Sequence, residues 1–88
     1  MKLSENYILK TVAGTPVVVP VGDAVKDLNG MITLNGSAEF IWKMLKNGAE
    51  RPEILAALKA EYNADEKILA EDLDYFINKL VERKILAL

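Results

Sequence analysis

The feature that most constrains this chain is a change of hydrophobic period near residue 35. Ahead of it the apolar residues are β-branched and come in short runs; beyond it they recur every three and four residues. A period-2 pattern suits strands and a 3.6 pattern suits helices. The stretch "NGMITLNGSAEFIWKML" (29–45) carries the switch, joining a strand directly to a helix.

In the first third, "YILKTVAG" (7–14) and "TPVVVPVG" (15–22) are two β-branched runs with a turn expected at Gly14-Thr15-Pro16. Pro20 cannot donate to a ladder, which predicts an edge or bulge position. "DAVKDL" (23–28) fits neither period. Asn29-Gly30 is a strong turn signal, and "MITLN" (31–35) follows as a third strand. Ile32 and Leu34 share one face of it, Met31 and Thr33 the other.

The remainder reads as three helices. In the first, about 37–47, Ala38, Ile41, Trp42 and Leu45 form one stripe, with Asn35 or Ser37 as cap and Gly48 at the end. The second starts near Pro52 with Ile54, Leu55, Leu58 and Tyr62 on its apolar side. The third starts at Asp65, carries Leu69, Leu73, Phe76 and Leu80, and ends near Arg83-Lys84. "ILAL" (85–88) is an apolar tail that needs a docking place. Three strands followed by three helices predict one α+β domain over residues 1–88.

Composition narrows the chemistry. Net charge is −2, which offers no concentrated basic face for nucleic acid or an anionic membrane. Cysteine and histidine are both absent. That removes the thiolate nucleophile, the zinc–thiolate site and the usual neutral-pH base. Ser4 and Ser37 have no histidine to activate them, and the glycines form no phosphate loop. Glu61, Asp65, Glu66, Glu71, Asp72 and Asp74 read as a solvated face suited to a helix N-terminal half, rather than as a metal site. No catalytic residue, metal or cofactor is expected. No apolar run reaches the roughly 20 residues that span a bilayer, and the N-terminus lacks a signal-peptide core, so the reading is cytoplasmic. Trp42 belongs to a core stripe, whereas Tyr75 lies on a shoulder of the third helix with Ile68, Asp72 and Lys79.

Several segments in order then resemble one family. "VVVPVG" (17–22), "NGMITLN" (29–35), "LNGSAEFIW" (34–42), Gly48, "EILAALKAEY" (53–62), "EDLDYFINKL" (71–80) and "ILAL" (85–88) are together similar to the PqqD-like proteins. These include the recognition elements for ribosomally made, post-translationally modified peptides. The sequence departs from the pattern at Gly36-Ser37 and Arg51, both at helix starts.

The resemblance implies a winged-helix-like fold with three antiparallel strands and three helices. It implies a non-catalytic adaptor that binds the leader segment of a precursor peptide and presents it to a modifying enzyme such as a radical S-adenosylmethionine protein. The leader would add as a strand beside Asn29, Gly30, Met31, Ile32, Thr33 and Leu34, with the third helix as the facing wall. The residues themselves are compatible, since strand addition needs an open edge and side-chain pockets but no catalytic group. No lysine or proline guards residues 29–35. On the third helix, Ile68, Asp72, Tyr75 and Lys79 are the expected readers of leader side chains; the opposite shoulder, Ala70, Ile77 and Val81, is the alternative. No nucleic acid or membrane partner is expected, and the chain is read as a monomer or weak homodimer. Two rivals stand beside this reading: a winged-helix DNA-binding regulator, disfavoured by the acids of the third helix, and a structural homodimeric subunit paired through its free edge.

Overall fold

The computed structural model describes residues 1–26 and 31–88. The sheet order is β2-β3-β4, all antiparallel: β2 is Tyr7–Val12, β3 is Thr15–Pro20 and β4 is Ile32–Thr33. Helices α1 (Gly36–Lys46), α2 (Arg51–Glu61) and α3 (Glu66–Glu82) follow. The order of three strands and then three helices is the expected one. A further antiparallel ladder pairs β1 (Lys2–Leu3) with β5 (Leu86–Ala87). It went unanticipated because two residues are too few to display a period. It also gives the apolar tail its docking place, with Ile85 and Leu86 buried.

The β2–β3 hairpin corrects the expected turn. Val12 pairs with Thr15, so the loop is Ala13-Gly14 and Thr15-Pro16 already belong to the strand. Both loop residues have positive φ, 51° and 81°, as a type I′ turn requires. Glycine supplies this freely; alanine does so under strain, which is why the sequence signal pointed one residue too late.

Pro20 also departs from expectation. It ends the central strand of the three rather than lying on an edge. The hydrogen-bond parity explains how the strand tolerates it. Val21 N–H donates to Asn6 C=O at 2.7 Å, so by antiparallel alternation Ile8, Lys10 and Val12 exchange bonds with β3. The opposite residues Pro16 and Pro20 therefore turn their missing N–H toward β4. The β2–β3 ladder loses nothing, while Val18 is left as the donor on the β4 side within Pro16–Pro20.

A 3₁₀ turn, Gly22–Lys26, starts at the last residue of the second run and takes in the first four residues of the segment that fitted neither period. The remainder of that segment, residues 27–28, and the Asn29-Gly30 turn lie outside the described residues.

Each helix starts and stops for a local reason. Asn35 Oδ1 accepts from Ala38 N–H at 2.8 Å and from Ser37 Oγ at 3.0 Å, so Asn35 is the cap and Ser37 braces it. At the other end of α1, Gly48 N–H donates to Leu45 C=O and Ala49 N–H to Met44 C=O, with Gly48 at φ 86°. That is a Schellman ending. Pro52 sits in the first turn of α2, and Glu53 reaches back to accept from Glu50 N–H at 3.0 Å. Asp65 accepts from Lys67 N–H at 2.7 Å to start α3.

The apolar stripes converge on a single core. Ile41, Trp42 and Leu45 of α1, Ile54 and Leu58 of α2, and Leu69, Leu73, Phe76, Ile77 and Leu80 of α3 are all buried, together with Val18, Ile32 and Leu34 from the sheet. Met31 is 62% exposed while Ile32 is 4% exposed, the expected alternation.

Replacing Ala13 by Asn relieves the left-handed strain while keeping the hairpin loop, since Asn tolerates this region far better than alanine. The expected gain is up to about 1 kcal/mol, part of the left-handed penalty that alanine carries, read as a higher urea midpoint with unchanged slope. A lower midpoint would mean that the loop does not take the Ala13-Gly14 geometry.

Candidate functional site

A groove of about 310 Å³ runs between β4 and α3. Ile32, Thr33 and Leu34 form one wall. These are consecutive residues whose side chains point to opposite faces, so the strand contributes its edge to the groove rather than a face. Asp72, Tyr75, Phe76 and Lys79 of α3 form the other wall. The start of α1 closes one end through Asn35, Ser37, Ala38 and Ile41.

The edge is open in a specific sense. Leu34 N–H donates to Pro16 C=O at 2.9 Å, which makes that pair a hydrogen-bonded one. Alternation then makes Val17 and Thr33 a non-hydrogen-bonded pair and Val18 and Ile32 a bonded one. The N–H and C=O of Thr33 accordingly point away from β3 and into the groove. Among the described residues no strand lies on that side of β4.

The helical wall is amphipathic along its length. Tyr75 is 71% exposed, an unusual exposure for so large a ring, and Phe76 beside it is buried. Asp72 and Lys79 lie two turns apart on the same side, about 10 Å at 1.5 Å per residue. The groove thus has an apolar middle and oppositely charged ends.

Of the expected site residues, the structure brings Ile32, Thr33, Leu34, Asp72, Tyr75 and Lys79 together. Ile68 and Met31, the latter just ahead of β4, are exposed and outside the groove lining. Asn29 and Gly30 lie outside the described residues. The alternative shoulder is turned elsewhere: Ile77 is in the core, and Val81 faces the β1–β5 ladder. Asn35, Ser37, Ala38, Ile41 and Phe76 were not anticipated. The first three could have been found by noting that a capped helix beginning two residues after a strand must cover that strand's end.

Three of the acids of 61–74 have structural partners, and among the described residues no group of acids is arranged to hold a metal ion. Asp65 is the α3 cap. Glu66 pairs with Lys59 at 3.3 Å. Asp74 takes a two-pronged bond from Arg51, Nε to Oδ1 at 2.7 Å and an Nη nitrogen to Oδ2 at 2.9 Å, fixing α2 against α3 on the side away from the groove. The guanidinium hydrogen bonds hold the Asp74 carboxyl below its ordinary value, and Asp74 in turn raises Arg51.

Taken together, the fold and groove define a small sheet-and-helix protein in which, among the described residues, an unpaired strand edge faces a helix. The chain belongs to the family described as Coenzyme PQQ synthesis protein D (PqqD), whose model matches residues 17–86. Among solved structures it is similar to TbiB1 in complex with the TbiA(beta) leader peptide, at 25% identity and a TM-score of 0.78, covering 98% of this chain and 94% of the other. It also shares its fold with lasso peptide synthetase B1 complexed with the leader peptide, at 18% identity and a TM-score of 0.73, covering 93% and 91%. No curated protein matches the chain.

Because the Asp74 carboxyl is lowered, the Arg51 pair contributes stability above the ordinary aspartate range and loses it as pH falls through the lowered value. Asp74→Asn is therefore expected to be less stable than the parent at neutral pH, with the gap closing in acid. Parallel urea titrations across pH check this, and a gap independent of pH would assign the loss to packing.

Proposed function

We propose that this chain is a non-catalytic adaptor, one unit over residues 1–88, that binds the leader segment of a ribosomally made precursor peptide by strand addition. Its task is to hand that peptide to a modifying enzyme, for which a radical S-adenosylmethionine protein is our choice. The observation that carries the reading is the outward N–H and C=O of Thr33 in a groove walled by Asp72, Tyr75 and Lys79. A guest strand there gains main-chain bonds from the edge and side-chain recognition from the helix. Family membership supports the reading, as do the leader peptides bound by both similar structures.

The groove gives each wall a role. Thr33 supplies the backbone pair that aligns the guest. Tyr75 offers a large amphipathic surface for an apolar guest residue, with little entropy lost because the ring has few rotors. Asp72 and Lys79 favour a guest with a basic residue toward one end and an acidic residue toward the other, which fixes strand direction. Charges at such exposed ends set selectivity and association rate more than affinity. Binding near micromolar, about −8 kcal/mol, is the expected range.

The test is calorimetry with the leader of a precursor encoded beside this chain's gene. Thr33→Pro is the informative substitution, because proline removes an N–H that β3 does not use. It is expected to leave the urea midpoint almost unchanged while weakening the leader at least about tenfold, or 1.4 kcal/mol. Full affinity in the folded variant would end the strand-addition reading.

Tyr75→Ala is expected to cost about 1–3 kcal/mol of binding with no loss of fold, given how little of the ring is buried. An unchanged dissociation constant would remove Tyr75 from the site.

A further inference from the structure

The sheet has a second edge, and it too opens onto a helix-walled groove. β2 is the outer strand opposite β4. The parity set by the Asn6–Val21 bond turns the N–H and C=O of Leu9 and Thr11 outward, away from β3. A groove of about 400 Å³ runs along this edge, between Ile8 and Leu9 on one side and Trp42, Lys43 and Lys46 of α1 on the other. As at β4, neighbouring residues of opposite face line one groove, so the strand presents its edge. Ile8 and Leu9 are half-buried and Trp42 forms a buried apolar floor.

The charge differs from that of the first groove. Lys43 and Lys46 form a basic rim on a chain whose net charge is −2. Lys43 is offset in part by Glu39, 3.5 Å away and four residues back; Lys46 has no ion pair among the described residues. A second copy of this chain docking through the same edge would set two such lysine pairs near one another, which is unfavourable. An acid-bearing strand meets no such penalty.

We infer that the β2 edge and α1 form a second docking groove, which takes an extended protein segment with acidic residues alternating with apolar ones. Naming its source rests on the adaptor reading: the segment belongs to the enzyme that modifies the bound peptide. The two grooves lie on opposite edges of one sheet, so guest and enzyme can be held at once without competing. The bound enzyme would continue the sheet from β2 while the guest continues it from β4.

The test uses the ¹⁵N-labelled chain titrated with a synthetic (Glu-Val)₅ peptide, with (Lys-Val)₅ as its charge-reversed control. The acidic peptide is expected to shift the amides of Leu9, Thr11, Lys43 and Lys46, and to weaken about tenfold in the Lys43→Glu, Lys46→Glu double variant. Both substituted side chains are on the solvated face, so the fold is retained. Absence of shifts at those amides up to millimolar peptide overturns the inference, as does equal binding of the basic peptide. Sedimentation showing a homodimer through β2 that the acidic peptide does not displace would overturn it as well. Leader binding, read at Thr33 and Tyr75 in the same spectra, reports separately on the adaptor reading.

Discussion

The arrangement depends on how β4 is attached to β3. Of the three β3 residues that face β4, at positions 16, 18 and 20, two are proline and cannot donate. Val18 and the carbonyl of Pro16 therefore hold the described part of the third strand, through Ile32 and Leu34. A slip of one residue would put Met31 and Thr33 into the core and expel Ile32 and Leu34, which are each 4% exposed. Burial of those two side chains sets the register, and the register sets which amides face the groove. The open edge is a consequence of packing on the other side of the strand.

The same packing anchors both walls of the groove from the core side. Its strand wall is held by Ile32 and Leu34 in the core, and its end by the Asn35 cap. Its helical wall is pinned from behind, where Leu73 and Leu80 are fully buried and Arg51 clamps Asp74. The groove-facing side chains Asp72 and Tyr75 are exposed. A backbone frame anchored before a guest arrives lowers the ordering cost of binding.

The sequence disclosed this frame well where period and capping agree. The α1 and α3 stripes, the Asp65 cap, and the inward Ile32 and Leu34 were all readable, because each obeys a local rule; for α1 the sequence left Asn35 and Ser37 as alternative caps, and the structure selects Asn35. The shoulder bearing Asp72, Tyr75 and Lys79 could be listed but not chosen over Ala70, Ile77 and Val81. Helical spacing gives the angle between two flanks, not which flank the sheet covers. The Ala13-Gly14 turn was misplaced because alanine at positive φ obeys no local preference, and the hairpin register overrides it. The β1–β5 ladder joins residues more than 80 apart in sequence and depends on tertiary packing alone.

The edge strands also invite a question about solubility, since unpaired edges tend to pair with one another. Among the described residues β4 has two paired residues, and Tyr75 and the start of α1 line the groove beside it, so the edge offered to a neighbour is short. β2 is longer, six residues, but Lys10 stands on it and Lys43 and Lys46 stand beside it. Charge on a flanking helix is a gentler guard than a proline in the strand. It repels a like-charged copy yet leaves the backbone groups usable by an oppositely charged one.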